Sequence, residues 1–338
     1  MASSNPDNNK NKFIRSSGSS IFLKLFSYRA IALLIIIIFL AVIFSIVLPN
    51  FFTLSNLKYT LLALSDKGIV VIGTTLLLIA GLIDLSVGSV FAFSGTLVAL
   101  LIVNNFPVPI SILIGLISGI FIGFLNGIIV EKLKVNFLIT TLGTLGIFRG
   151  FTILLSQQPI ANLPKSFTQI GQKVILSFQS PVWIMAILLI IFGIFLSRHR
   201  FFRQYYYIGG SEKAAILSGI KVPSLKILAF MIGGFFVAVA GIVYVGRAGA
   251  ATSTMGTGLE LKVIAAAVIG GCSLNGGEGT IFGSFLGVVF MELILDILVF
   301  AKVSTYWHEI VTGAILILAV AFDQWVKIKR ETMRSKLV

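Results

Sequence analysis

The residues of this chain that could do chemistry are few, and most are charged side chains set in apolar sequence. Glu292 and Asp296 are four residues apart and so share one helix face, and paired acids of this kind are typical of proton-coupled carriers. Asp84 can line a polar path or accept backbone N–H groups at the start of a helix. Arg149 lies inside an apolar run, so we expect it to face an acid, the helix bundle or the membrane interface.

Enzyme chemistry has no recognisable site in the sequence. The chain has two histidines, His199 and His308, and neither an H-E-x-x-H nor a G-x-S-x-G motif. No Gly-Lys pair occurs, so there is no nucleotide phosphate loop. The single Cys272 cannot form an internal disulfide, and nothing suggests a cysteine-ligated metal. We therefore expect neither an enzyme active site nor a resident cofactor or metal.

Composition places these residues in a membrane. The chain is 57% hydrophobic and 11% charged, with a mean hydropathy of +1.05, which a soluble globular surface could not tolerate. Apolar runs of the length that crosses a bilayer recur, so an all-α integral membrane fold is predicted. A barrel is excluded because its segments would be shorter and alternate in polarity.

The net charge of +14 raises nucleic acid as a partner, but the location of the charge argues against it. Basic residues cluster beside the ends of spans, as cytoplasmic orientation signals do. The clusters precede the first span, fill the interval 198–226 and follow the last span. No nucleic-acid partner is therefore expected.

About ten spans are predicted, with tails at both ends. The spans are 30–48, 69–80, 89–103, 110–129, 137–155, 182–197, 227–245, 261–276, 281–298 and 308–325. Residues 1–29 are expected to be a partly disordered cytoplasmic tail, 30–325 the transmembrane domain and 326–338 a second cytoplasmic tail. The first run is kept as a span because no cleavage site follows it.

Charge supports this topology. Segments assigned to the inside hold 18 Lys and Arg, and those assigned to the outside hold seven: Lys58, Lys67, Lys165, Lys173, Arg247, Lys262 and Lys302.

The eighth span is short and leads into GGCSLNGGEG, so a broken or partly re-entrant crossing is predicted there. Glycines recur every four residues in two spans and predict close helix packing. They are Gly115, Gly119, Gly123 and Gly127, and then Gly279, Gly283 and Gly287.

The interval 198–226, which we name the coupling segment, is the one long polar insert between spans. Ser211 is placed to cap a short helix over 212–218, and Gly219 to end it. Two helical turns are marginal in water, so such a helix needs a partner or the bundle to hold it. An ordinary solvated loop is the alternative for this segment.

A family resemblance bears on that choice. IGGSEKAAILSGI (208–220) resembles the cytoplasmic Glu-Ala-Ala···Gly coupling motif of ABC importer permeases of the ribose-type sugar group. AGLIDLSVGS (80–89), TTLGTLGIFRG (140–150) and GTGLELKVIAAAVIGGCSLNGGEGTIFG (256–283) resemble other segments of that group, in the same order. The sequence departs from the group's pattern at Leu82, Ser211 and Lys213.

The resemblance implies a type II-like permease bundle with a cytoplasmic coupling helix, in a bacterial inner membrane. Partners implied are a cytoplasmic ABC ATPase carrying ATP and Mg, an extracytoplasmic solute-binding protein, and a second permease copy or a paralogue. Residues implied to couple to the ATPase are Gly210, Ser211, Glu212, Ala214, Ala215, Ser218 and Gly219.

The solute implied is a monosaccharide or sugar-like compound of the ribose or autoinducer-2 class. The block 256–278 and the ending STYWHEIVTGAILILAVAFD are closer to the autoinducer-2 branch of the family. Residues of the possible translocation path are Asp84, Ser94, Asn126, Thr140, Thr141, Thr144, Arg149, Ser273 and Asn275. Each can instead serve in helix packing, capping or ion pairing. A proton-coupled secondary transporter of a small polar solute is the alternative function.

Overall fold

A computed structural model describes residues 17–304 and 306–335, and side-chain surroundings for 30–304, 306–321 and 323–325. The first half of the chain forms α1 (Ser17–Val47), α2 (Leu54–Ile79), α3 (Val87–Val103), α4 (Val108–Lys132), α5 (Phe137–Leu155) and α6 (Lys165–Gln172). A two-stranded antiparallel hairpin, β1 (Val174–Ile175) and β2 (Phe178–Gln179), follows. The second half forms α7 (Ser180–Arg198), α8 (Arg200–Gly210), α9 (Glu212–Leu217), α10 (Val222–Ala248), α11 (Leu259–Ile269), α12 (Ile281–Phe300) and α13 (Tyr306–Ser335).

The predicted fold class, an all-α membrane protein, is confirmed. Among the described residues, eight helices are long and apolar enough to cross a membrane, judged by length and composition: α1, α2, α4, α5, α7, α10, α12 and α13. The shorter α3 is apolar, and α11 has 11 residues, so it rises about 16 Å and cannot cross a bilayer alone. The ten predicted spans thus correspond to ten helices, of which two are short.

The number of spans was predicted more accurately than the residues at which they begin and end. α2 begins at Leu54 and not near residue 69, because Thr53 caps it and polar residues of its first half find partners inside the bundle. Lys58 and Lys67, which were assigned to an outer connection, therefore belong to a helix. Arg247 and Lys262 likewise lie in α10 and α11.

The predicted tails also differ from what is described. Residues 17–29 form the start of α1, and 326–335 continue α13. Residues 1–16 and 336–338 of the predicted tails lie outside the described residues.

α10 is the central helix of the bundle and packs against α2, α3 and α4. Its contact with α4 is a backbone contact, as the predicted glycine register requires. A side chain at Gly119 would meet Gly234, and one at Gly123 would meet the carbonyl group of Phe230. Apolar helices gain dispersion contacts at such short separations, so α4 and α10 form a tight pair.

α11 and α12 repeat this arrangement, since Gly283 lies against Gly270 and Gly287 against Ala266. The second predicted glycine register is confirmed at these two positions.

α2 and α11 end in the same way. Gly81 N donates to Leu78 O and Gly271 N to Val268 O, each at 2.9 Å, and both glycines have positive φ, +76° and +99°. Each helix is followed by an irregular segment and then by another span. The segment after α11 reaches the end of α2, because Gly277 N donates to Ile79 O at 2.9 Å. The predicted break of the eighth span is thus one of two, and the break at 80–86 is its counterpart.

Candidate coupling site and buried polar network

The coupling segment folds against the two irregular segments. α8 is amphipathic, with Tyr205 and Ile208 buried. The hydroxyl of Tyr206 donates to Gly279 O at 2.9 Å, and burial raises the pKa of this tyrosine, which keeps the proton that it donates. At Gly209 a side chain would collide with the backbone of Ile79 and of Gly277. α8 is therefore held directly on the end of α2 and on the irregular segment that follows α11.

α9 begins at the predicted residue, Glu212, and ends at Leu217, one residue before the predicted end. Ser211 Oγ accepts from Ala214 N at 3.3 Å, and Gly219, with φ of +79°, ends the helix as Ile220 N donates to Ala215 O at 3.1 Å. The two alanines differ, because Ala215 is buried against the bundle and Ala214 is exposed.

The surface of α9 that points away from the bundle is apolar at its end. Leu217 is 88% exposed and Ile216 is 55% exposed, next to the exposed Ser218 and Gly219. Gly210 is exposed, and a side chain there would meet nothing within 4 Å. The predicted coupling residues thus form one short exposed helix with its cap and its stop.

Glu212 is partly exposed but has a partner in the bundle. Its Oε2 is 2.9 Å from Lys226 Nζ in the first turns of α10, and the same ammonium lies 3.2 Å from Glu131 Oε1 near the end of α4. Glu131 is almost fully buried and is also 3.7 Å from the exposed Lys134. We call Glu131, Lys226 and Glu212 the Lys226 cluster.

A second polar group lies within the membrane bundle and connects several predicted path residues. Thr144 Oγ1 donates to Asn126 Oδ1 at 2.6 Å, and Asn126 Nδ2 donates to Ser86 Oγ at 3.1 Å. Asp84 Oδ1 accepts from the hydroxyl and the backbone N–H of Ser86, at 2.5 and 2.8 Å. All four side chains are buried. The chain of donors runs towards the Asp84 carboxylate and fastens the 80–86 break to α4 and α5.

The other predicted path residues are not part of this network. Ser94 pairs with Ser118 at 3.0 Å, and the hydroxyls of Thr140 and Thr141 donate to carbonyls of their own chain four residues earlier. Ser273 Oγ accepts from Asn275 N at 3.2 Å in the turn after α11, on the α8 side of the bundle.

Arg149 has a backbone partner. Its Nη1 donates to Ser253 O at 2.8 Å and to Met255 O at 2.9 Å. It fastens α5 to the irregular segment that precedes α11 and is also attracted by the Glu260 carboxylate in α11, so of the predicted alternatives it faces both the bundle and an acid.

Comparison with known proteins supplies the family. A family described as "Branched-chain amino acid transport system / permease component" matches residues 56–320. The chain belongs to this permease family. It is a transport protein and not an enzyme.

Relatives match over nearly the whole permease. It is 33% identical over 296 residues to the autoinducer 2 import system permease protein LsrC of Photorhabdus luminescens, covering 87% of this chain and 89% of the relative. The ribose import permease protein RbsC of Haemophilus influenzae is 33% identical over 301 residues, covering 88% and 93%. LsrC of Escherichia coli K12 is 32% identical over 305 residues, covering 88% and 89%. No solved structure matches.

The paired acids of the permease have partners on the side of the bundle opposite to α9. Lys67 forms an ion pair with Glu292, and Arg247 Nη2 lies 3.4 Å from Asp66 Oδ2. We call Asp66, Lys67, Arg247 and Glu292 the Lys67 cluster. Asp296 accepts a hydrogen bond from the Thr60 hydroxyl.

Sequence reasoning missed three residues of these sites. None of Ser86, Glu131 and Lys226 was singled out from the sequence. Lys226 had a usable signal, because it lies one helical turn into an apolar span, where an unpaired ammonium is costly. Its two partners come from distant parts of the chain, at residues 131 and 212, and no local spacing links them.

Proposed function

We propose that this permease is the transmembrane subunit of an ATP-driven ABC importer that moves a monosaccharide or sugar-like solute into the cell. The observation that carries the proposal is α9, a capped helix that leaves the apolar side chains of Ile216 and Leu217 uncovered beside the bundle. A six-residue helix is too short to be stable alone, so it needs contacts with the bundle and with a partner protein. A separate ATPase, holding ATP and Mg, is the partner that the family implies.

The class of solute follows from the relatives and from the polar side chains of the bundle. Three relatives carry the names of ribose or autoinducer 2 import permeases. Among the path residues, Asp84 and Arg149 are the charged ones, and both are engaged by protein groups. The remaining hydroxyls and amides suit a neutral polyhydroxy solute better than a zwitterion such as a branched-chain amino acid. We propose the ribose or autoinducer-2 class.

The proposal includes a membrane and further subunits. The protein is placed in the bacterial inner membrane with both termini in the cytoplasm, so that α9 faces the ATPase. An extracytoplasmic binding protein delivers the solute to the opposite side. The ligand retained by that protein from the neighbouring genes would identify the solute.

A second permease, either another copy or a paralogue, would complete the pathway. α5 offers it a surface, because Gly143, Gly146 and Gly150 share one face and a side chain at any of them would meet nothing within 4 Å. Such a face lets a second helix approach closely in lipid. The mass of the purified complex distinguishes two copies from a pair of paralogues.

Proton-coupled transport is the competing function, and the partners of the acids weigh against it. Glu292 forms an ion pair with Lys67, and Asp296 accepts a hydrogen bond from the Thr60 hydroxyl, so both acids are engaged by protein groups. Collapsing the proton gradient while ATP is preserved should leave uptake unchanged. Loss of uptake under that condition would favour the secondary transporter.

The substitution Leu217→Asp tests the ATPase contact. Leu217 is 88% exposed, so the change leaves the bundle intact and places a charge on the contact surface. We expect ATPase binding to weaken at least about tenfold, as for a central apolar contact residue. Titration of labelled ATPase onto the permease in lipid nanodiscs measures it.

The matched control is Leu176→Asp, in the hairpin on the opposite side of the bundle, where the leucine is 79% exposed. It should bind the ATPase as the unchanged permease does. Equal binding by Leu217→Asp and the unchanged permease would contradict the proposed contact.

A further inference from the structure

The Lys226 cluster joins three elements that are far apart in the sequence. Lys226 Nζ lies 3.2 Å from Glu131 Oε1 and 2.9 Å from Glu212 Oε2, so one ammonium binds a carboxylate of α4 and a carboxylate of α9. The Lys226 side chain is 12% exposed and that of Glu131 is 4% exposed. The pair of Lys226 with Glu131 is therefore weakened less by salt and water than ion pairs on the surface, whereas Glu212 is half exposed.

Two of the three elements already form a tight pair. α4 and α10 meet through their backbones, with Gly119 against Gly234 and Gly123 against Phe230. Closely packed helices transmit a displacement as a pair because their contact cannot deform continuously. A force applied at Lys226 therefore acts on both spans.

The third element has few other attachments. Seven of the eight residues from Ser211 to Ser218 are exposed, and Ala215 is the buried one. Glu212 is thus the polar anchor of α9 to the spans, and its carboxylate faces the bundle.

We propose that Lys226 is a positioning residue that fastens α9 to α4 and α10 by binding Glu212 and Glu131 together, so that movement of α9 is passed to both spans. This inference rests on the proposed function. It assigns Glu212 to the attachment of α9 inside the permease and leaves Ile216 and Leu217 as the surface for the ATPase.

The test uses the complete complex of permease, ATPase and binding protein in liposomes, with transport and ATP hydrolysis measured in the same sample. Lys226→Met keeps the length of the side chain and removes the ammonium. We expect the ATPase to bind with unchanged affinity and to hydrolyse ATP, while solute moved per ATP falls about fivefold or more. Lys226→Arg, which can bind two carboxylates, should keep more than about half of the wild-type ratio.

The matched control is Lys221→Met, an exposed lysine at the start of α10, which should leave the ratio unchanged. If Lys226→Met does not fold, Glu212→Gln decides, because that side chain is half exposed and its loss of charge breaks the same bridge. It should lower the ratio to a similar degree.

Three results would overturn the inference. A wild-type ratio in Lys226→Met, or in Glu212→Gln where that variant decides, would show that the bridge carries no movement. Loss of ATPase affinity in the variant alone would place the bridge in the docking surface and leave the proposed function standing. Failure of the unchanged permease to bind the ATPase would reject the proposed function itself.

Discussion

The Lys67 cluster and the Lys226 cluster both set ammonium or guanidinium groups against carboxylates, but they join different kinds of element. The Lys67 cluster connects α2 to α10 and α12, three spans of the bundle. The Lys226 cluster connects two spans to the short, exposed α9. The first can contribute only to holding the bundle together, whereas the second also lies on the route from the surface to the spans. Loss of charge should therefore lower stability at one cluster and coupling at the other.

Lys67→Met should produce the largest loss of stability. It leaves Glu292, which is 6% exposed, without its ammonium, and removal of one partner of a buried pair costs about 3–5 kcal/mol. We expect a marked fall in the thermal unfolding midpoint of the permease in detergent. Lys173→Met, at an exposed lysine, is the control. Equal unfolding midpoints for the two variants would contradict the prediction that the Lys67 cluster stabilises the bundle.

Arg247→Lys should cost less, because the charge stays. The guanidinium donates to Leu62 O at 2.8 Å, reaches Asp66 at 3.4 Å and lies 5.0 Å from the centre of the Tyr244 ring. A lysine cannot make these contacts together, so we expect a loss of about 1–3 kcal/mol in the free energy of unfolding. The same thermal measurement checks it, with the exposed Arg200→Lys as control. A loss larger than that of Lys67→Met would reverse the order within the cluster.

Ser211→Ala should have the smallest effect on stability. It removes the side-chain cap of α9, worth about 1 kcal/mol to the helix, but α9 contributes little to the bundle. We expect about fivefold faster hydrogen exchange at Ala214 and an unchanged unfolding midpoint. Ser197→Ala, at an exposed serine whose hydroxyl donates to Ile194 O, should change neither. A lower midpoint in Ser211→Ala would mean that α9 supports the bundle as the Lys67 cluster does.

Local patterns predicted the helices well where the signal was local. The cap at Ser211, the stop at Gly219 and the glycine register of α4 each depend on residues within one or two turns. The start of α2 was wrong by about four turns, because Lys67 and other polar residues there read as a connection. Their partners lie on α10 and α12, which are distant in sequence. A pattern read from neighbouring residues cannot detect such partners, so it treats a paired charge as if it were exposed.

The candidate sites divide in the same way. Asp84, Asn126 and Thr144 were named one by one for their polarity in apolar sequence, and each could have had a different partner. The structure brings them into one network through Ser86, which had no separate signal. Ser94, Thr140, Thr141, Ser273 and Asn275 had equal claims, and they lie outside it.

The sequence by itself determined the membrane class, the approximate number of apolar spans, the capped α9 and the family motifs, since composition, periodicity and capping are properties of neighbouring residues. Tertiary structure decided which charges meet, that the segment after α11 reaches the end of α2, and that Lys226 lies between Glu212 and Glu131. In a bundle of many helices each polar side chain has several possible neighbours. The packing of the helices against one another selects one of them.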